Sequence, residues 1–163
     1  VKCLTWIFRS WYNQYYLIKE LFNYMKDYQV KQVYNSEEEL DIFINGPFLS
    51  REEITEFVTQ ISIWADIEPP KIQCKQEYAV TDVSSGTADK IFLPIFAQNP
   101  WFICHEMTHV ILDSWEHIGD DHHGPNFCNI YLYLLGWTVG DKTEQSLREL
   151  FYTNGVKIGS QLV

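Results

Sequence analysis

Residues 99–114 read NPWFICHEMTHVILDS, and this stretch decides the fold that the sequence predicts. Asn99 is a favourable helix N-cap and Pro100 suits the first turn, so we expect a helix through to the end of the stretch. His105 and His109 are four residues apart and therefore share one face of that helix. Two imidazoles on one helix face can be directed at a single metal ion.

The run His105-Glu106-Met107-Thr108-His109 is an H-E-x-x-H motif. Glu106 lies about 100° around the helix from His105. We therefore expect its carboxylate beside the metal rather than bound to it, where it can accept a proton from the attacking water. The motif predicts one Zn²⁺ ion bound by His105 and His109, with Glu106 as the catalytic base.

A catalytic zinc site needs a third protein ligand and one open position. One common spacing would place a histidine at position 115, which is Trp115, and another needs a glutamate within 126–137, which contains none. The remaining candidates are Glu116, His117, Asp120, Asp121, His122, His123, Glu144 and Glu149.

We favour His123, because the following Gly124-Pro125 opens a new helix and so fixes where His123 lies. His122 and His117 stay open as alternatives. Their ordinary interpretation is as solvated loop histidines, but either could stabilise an oxyanion or protonate a leaving amine.

The whole pattern predicts an α+β fold, with a small mixed or antiparallel sheet of about three strands flanked by helices. Helices are predicted over 12–28, from a Ser36/Glu39 capping box to about Asn45, from a Ser50/Glu53 capping box towards Pro69-Pro70, from Gly124-Pro125 to Gly136 or Gly140, and over 143–152. Strands are predicted over 71–75, 78–83 and 90–95, with a turn at 84–86, and Val30–Tyr34 is also rich in β-formers.

The predicted strand 90–95 directly precedes the metal helix. Pro94 cannot donate to a strand ladder, so this strand is expected at an edge of the sheet. An extended substrate could pair with such an edge. The acidic run Glu37-Glu38-Glu39 with Asp41 is interpreted as a solvated helix start that complements the helix dipole.

Charge and composition exclude several classes of function. The chain has 163 residues with 12 Lys and Arg against 22 Asp and Glu, a net charge of −10, and 91–141 contains no Lys or Arg. We therefore do not expect nucleic acid as a partner, and a cationic or neutral polypeptide suits the site better. We find no run of about 18 uncharged apolar residues that could span a membrane.

One domain over 1–163 is expected, with an apolar start at 1–11 that either packs onto the domain or extends from it. The four cysteines form no C-x-x-C pair, which favours reduced thiols in an intracellular, cytoplasmic protein. Cys104 and Cys128 flank the metal-binding segments and are interpreted as small buried hydrophobes. Tyr131, Tyr133 and Tyr152 are candidates to donate a phenol hydrogen to an oxyanion, although core packing is their ordinary explanation.

The metal-binding segments resemble the signature of the SprT-like zinc metallopeptidases. In that family H-E-x-x-H on one helix is followed by H-G-x-x-F, or a near variant, opening the next; here these are His105 to His109 and His123-Gly124-Pro125-Asn126-Phe127. The resemblance covers about residues 100–136. Upstream, Val33-Tyr34-Asn35-Ser36-Glu37 is similar to a Val-Tyr-x-x-Glu segment of a bacterial group of SprT-like metallohydrolases.

This resemblance implies a zincin-like fold with the metal site between two helices. It implies His105, His109 and His123 as zinc ligands, Glu106 as general acid and base, and endopeptidase cleavage of a protein or peptide substrate. Two other functions remain open: a zinc hydrolase of a non-peptide amide, and a structural or binding module whose zinc stabilises the fold with little turnover.

Overall fold

The computed structural model describes residues 27–40, 47–76, 83–115 and 122–160, which form five α-helices and a three-stranded sheet. The helices are α1 (Val30–Glu39), α2 (Arg51–Ala65), α3 (Pro100–Ser114), α4 (Pro125–Thr138) and α5 (Asp141–Thr153). The strands are β1 (Lys71–Cys74), β2 (Ser85–Thr87) and β3 (Lys90–Leu93), and a single 3-10 turn, Ile95–Ala97, joins β3 to α3. The predicted α+β class is confirmed.

The sheet is mixed, with strand order β1-β3-β2. Strand β3 pairs parallel with β1 and antiparallel with β2. The prediction that 90–95 forms an edge strand is therefore wrong, because β3 is the central strand. Pro94 follows the last strand residue, Leu93, so its missing N–H interrupts no ladder hydrogen bond.

The predicted turn at 84–86 is also wrong, because Ser85–Thr87 forms β2. The chain reverses instead at Ala88-Asp89, where the Thr87 hydroxyl donates to Asp89 Oδ1 at 3.0 Å. The predicted strand 78–83 lies outside the described residues except for Val83, which is not in a strand. The small polar residues Ser84-Ser85-Gly86 therefore precede the turn instead of forming it.

Local capping signals place α2 and α3 as predicted. The Ser50 hydroxyl accepts from Glu53 N at 3.2 Å, and the Glu53 carboxylate accepts from Ser50 N at 2.7 Å. The Asn99 side chain accepts from the backbone N–H groups of Trp101 and Phe102. Helix α3 then runs to Ser114, so the metal motif lies on one continuous helix.

Helix α1 contradicts two predictions. Val30–Tyr34, interpreted as rich in β-formers, is the first half of this helix, and Ser36 lies within it rather than capping a new one. The Ser36 hydroxyl donates to the Gln32 carbonyl at 2.8 Å. Helix α1 packs against α5, so tertiary contacts outweigh the local β propensity. The predicted helix 12–28 lies outside the described residues apart from Asp27 and Tyr28.

Helix α3 lies at the centre of the molecule and contacts α2, α4, β2 and β3. Helix α4 passes through Gly136 and ends at Thr138, and Gly140 follows at a φ of 130°. Helix α5 agrees with its prediction and buries Leu147 and Phe151. Among the described helices, none combines the length and apolar character that crossing a membrane requires.

Gly86 allows the sheet to approach helix α3 closely. A Cβ at this position would clash with the backbone carbonyl oxygen of Glu106 and would lie 3.2 Å from Val110 Cγ2. Strand β2 therefore rests directly on the turn of α3 that carries Glu106, and only glycine fits there without displacing backbone.

Substituting Gly86→Ala is expected to lower the free energy of unfolding by about 1–3 kcal/mol, because the new methyl overpacks a contact between two backbones. Gly136→Ala is the matched control. Its Cβ would meet Glu144 only at 3.4 Å, inside a helix, so it should raise stability by about 0.5–1 kcal/mol. Urea denaturation of both variants measures the difference, and a Gly86→Ala protein as stable as the parent would contradict the close approach.

Candidate metal centre

Helix α3 brings His105, Glu106 and His109 to one side of the molecule. The imidazole centroids of His105 and His109 are 5.2 Å apart, as expected one helical turn apart. His105 and Glu106 are each only 4% exposed. Polar side chains are rarely buried to this degree without specific partners, so the contacts of each one matter.

His123 completes a three-histidine cluster. It directly precedes α4, whose N-cap is Gly124, and the ligand atoms of His105, His109 and His123 all lie within 4.8 Å of one another. The cluster could hold a metal ion. These three residues are the ligands predicted from the sequence, His105 and His109 from the H-E-x-x-H spacing and His123 from the Gly124-Pro125 helix start.

The other candidate ligands are not part of this group where they are described. His122 is exposed, with its ring 6.0 Å from that of His109. Glu144 is on α5, where it pairs with Arg148 at 2.6 Å, and Glu149 is exposed on the same helix. Four further candidates, Glu116, His117, Asp120 and Asp121, lie outside the described residues.

Two carboxylates orient two of the three imidazoles. His105 Nδ1 is 2.8 Å from Glu37 Oε1, and His123 Nδ1 is 2.7 Å from Asp27 Oδ2. Asp27 Oδ1 also accepts from the backbone N–H of His123 at 3.2 Å. Such carboxylate partners fix the ring orientation and tautomer of metal-binding histidines.

The donor set fits a cation. When the Nδ1 hydrogens of His105 and His123 point at carboxylates, both neutral rings present lone pairs at Nε2. These two Nε2 atoms are only 3.3 Å apart, a distance at which facing lone pairs repel unless a proton or metal ion neutralises them. Imidazole nitrogens suit several divalent transition metals, zinc among them.

Charge and burial act differently on the two α3 histidines. Burial opposes protonation of His105, but the charge and hydrogen bond of Glu37 outweigh it and raise the pKa of the ring. Burial, together with the positive charge of the neighbouring histidines, places the pKa of His109 well below its usual value. His109 therefore stays neutral at physiological pH and keeps a lone pair available.

Glu106 has the environment of a proton acceptor. Burial raises the pKa of its carboxyl, while the charge of His105 and a hydrogen bond from Ser84 partly oppose this. A carboxylate with a raised pKa is a stronger base than one in water. Glu106 opens onto a cavity of about 280 Å³ that is also lined by the three clustered histidines, by His122, and by Asp27, Tyr34, Ser84, Ser85 and Gly86.

Sequence reasoning missed Asp27 and Tyr34 and assigned Glu37 the wrong environment. Glu37 is 2% exposed, so its interpretation as a solvated residue of an acidic helix start is wrong, although Glu38 and Glu39 are exposed. The signal was present in the Val-Tyr-x-x-Glu segment. Its Tyr34 and Glu37 are three residues apart on α1 and both face His105.

Gln29 links the third histidine to the end of the described chain. Its amide nitrogen donates to the His123 carbonyl at 2.8 Å and to the Lys157 carbonyl at 3.0 Å, and its oxygen accepts from Lys157 N at 3.0 Å. The side chain is 1% exposed. The segment that carries Asp27 and Gln29 therefore holds both the ring and the backbone of His123.

The other predicted residues take structural positions. Tyr131 is buried and its phenol hydrogen-bonds to Glu37, whereas Tyr133 stacks on Trp64 at 4.8 Å and Tyr152 is 66% exposed on α5. None of these three lines the cavity beside Glu106.

The described cysteines also agree with their structural interpretation. Cys74, Cys104 and Cys128 are free, and the last two are fully buried. Burial raises the pKa of both buried thiols to about 12, so they remain protonated at neutral pH and resemble small apolar side chains.

No family model, curated protein or solved structure matches this chain. The similarity to SprT-like metallopeptidases therefore stays a prediction from the motifs. The chemistry of the centre has to be inferred from its own residues: three clustered imidazoles, two carboxylates that orient them, and a buried glutamate on the cavity wall.

Replacing Glu37 by glutamine should weaken metal binding, probed with Zn²⁺, by roughly 10–100-fold, because the amide cannot accept from His105 Nδ1 as strongly as the carboxylate. Competition for Zn²⁺ against a chromogenic chelator measures this affinity. The matched control is Glu38→Gln, one residue further along α1 and exposed. Equal zinc affinities for the two variants would show that Glu37 does not support a metal ligand.

Proposed function

We propose that the protein is a zinc-dependent metallopeptidase of SprT-like type, with His105, His109 and His123 as ligands of one Zn²⁺ ion. The observation that carries this proposal is the convergence of the three imidazoles within 4.8 Å beside the Glu106 carboxylate. A site that only stabilises the fold has no use for a buried base next to its ligands, whereas a hydrolytic site requires one.

Bound zinc would lower the pKa of a water ligand towards about 7 and polarise a substrate carbonyl. The chain's own residues supply the proton transfers. Glu106 accepts a proton from the attacking water and later delivers it to the leaving nitrogen as the carbon–nitrogen bond breaks. Ser84 orients the Glu106 carboxylate by its hydrogen bond.

The position of β2 favours a polypeptide substrate. The pairing with an extended substrate that was predicted for β3 is not available, because β3 has a strand on each side. Within the described residues, β2 is the edge strand on the side of the cavity, and its Ser85 and Gly86 line that cavity. An extended peptide added at β2 would run past Glu106.

The charge of the cavity favours a basic substrate. Asp27, Glu37 and Glu106 lie in or beside it, and its lining contains no Lys or Arg among the described residues. Net negative potential attracts cationic chains and repels nucleic acid. The substrate class that fits is a cationic or neutral polypeptide.

Substituting Glu106→Gln should abolish most of the hydrolysis of casein while zinc remains bound. Removing a general base typically costs 10²–10⁴-fold in rate, and the amide preserves the shape of the side chain. Metal analysis by mass spectrometry, together with a fluorescent casein assay, separates the two effects. The matched control is Glu56→Gln, an exposed residue of α2.

Two results would overturn the proposal. If the parent and Glu106→Gln proteins both bind one zinc and neither cleaves a broad peptide panel, the zinc has a structural role or acts on a non-peptide amide. If neither protein binds zinc, the ligand assignment is wrong.

Cleavage should be faster for Lys- and Arg-rich peptides than for acidic peptides of equal length, and the difference should shrink as salt is added. Measuring kcat/KM for both sets at two ionic strengths gives the comparison. A preference for the acidic set would contradict the inferred field of the cavity.

A further inference from the structure

Tyr34 places its phenol ring against two histidines of the candidate metal centre. Its ring lies nearly parallel to that of His105, with centroids 5.7 Å apart and an interplanar angle of 12°, and it is 5.1 Å from the ring of His123. The side chain lines the same cavity as Glu106 and is 42% exposed. The ring therefore packs against two proposed ligands, while part of the side chain meets the space open to a substrate.

The Tyr34 hydroxyl makes no hydrogen bond to any other described residue. The three carboxylates nearest to it have other partners: Glu37 binds His105 and Tyr131, Asp27 binds His123, and Glu106 accepts from Ser84. A phenol carries its proton at neutral pH and can donate one hydrogen bond. Within the described part of the chain, Tyr34 thus brings a donor without a hydrogen-bond partner to a wall that also carries carboxylates, imidazoles and the hydroxyls of Ser84 and Ser85.

Helix α1 holds this ring in place. Val33 and Glu37 on the same helix are buried, and Glu37 ties α1 to His105 through the 2.8 Å hydrogen bond. A donor fixed before the substrate arrives needs no reorganisation during reaction, which is the condition under which it stabilises a developing charge most.

We propose that Tyr34 is a catalytic residue that donates a hydrogen bond to the substrate carbonyl oxygen as that oxygen becomes negatively charged. The inference rests on the proposed peptidase function and deepens it. It assigns to α1 the role that the sequence had offered to Tyr131, Tyr133 or Tyr152, none of which lines the cavity, to His117, which lies outside the described residues, and to His122, which is exposed and does line the cavity.

The oxygen of water forms a bond to the carbonyl carbon, the carbonyl π pair moves to the carbonyl oxygen, and Glu106 takes the water proton. Tyr34 donates its hydrogen bond to that oxygen and keeps its proton throughout. The carbonyl reforms as the carbon–nitrogen bond breaks, and Glu106 returns the proton to the leaving nitrogen.

The test is Tyr34→Phe in the zinc-loaded protein, with casein and fluorogenic Lys-containing peptides as substrates. Phenylalanine keeps the ring over His105 and removes only the hydroxyl. We expect kcat to fall on the order of 10²-fold, with KM changed by less than about twofold. The matched control is Tyr133→Phe, because Tyr133 stacks on Trp64 outside the cavity. This variant should retain the parental kcat.

A second readout uses binding rather than turnover. A phosphinic analogue of the best-cleaved peptide carries an anionic oxygen at the reacting position, so its affinity should fall on the order of 10²-fold in Tyr34→Phe. The affinity for the cleaved product peptide should not change. Zinc content and the melting temperature should match those of the parent, because ring and ligands are kept.

Three outcomes overturn the inference. A kcat within threefold of the parent, roughly the scatter of such assays, would show that the hydroxyl is not used. A raised KM with parental kcat would show ground-state binding only, and a loss of zinc would show a structural role. A parent protein that cleaves nothing overturns the peptidase function itself. Equal cleavage by Tyr34→Phe and by an active parent overturns only the role of Tyr34.

Discussion

The packing of α1 depends on two carboxylate–imidazole hydrogen bonds that join this helix and the residues just before it to α3 and to the start of α4. Glu37 is almost fully buried, and a buried carboxylate is strongly unfavourable unless it is paired. His105 meets that requirement, and the reciprocal contact holds the imidazole in one orientation. Asp27 does the same for His123. Chain segments far apart in sequence are thus held in register by the same contacts that prepare the site.

A second constraint acts from the opposite side of α3. Gly86 lets β2 lie against the Glu106 carbonyl, and Ser84, just before the strand, hydrogen-bonds to the Glu106 side chain. The proposed base is therefore held from the side of the sheet, while two of the proposed ligands are held by Glu37 of α1 and by Asp27, which precedes α1. The small three-stranded sheet therefore contributes to the site in two ways. Its edge positions Glu106, and Ser85 and Gly86 of that edge form part of the cavity wall beside which the proposed substrate would lie.

Sequence reasoning succeeded where local chemistry decides the structure. Asn99-Pro100 and the Ser50/Glu53 capping box specify helix starts through contacts within three residues, and H-E-x-x-H needs only helical geometry to bring two histidines together. It failed where distant partners decide. Val30–Tyr34 has β propensity but becomes helical against α5, and the burial of Glu37 depends on a histidine 68 residues away.

The same separation in sequence couples metal binding to folding. The proposed ligands and their supporting carboxylates meet only when α1, α3 and the start of α4 are packed together, so the unfolded chain offers no preformed site. A cation that binds only the folded state stabilises it by about 2.7 kcal/mol at a free concentration 100 times Kd. In a chain with a net charge of −10, a divalent cation among Asp27, Glu37 and Glu106 would also relieve the mutual repulsion of these carboxylates. The centre would therefore stabilise the packing of α1 as well as supply the chemistry, which makes the burial of Glu37 and the function of the site two consequences of one arrangement.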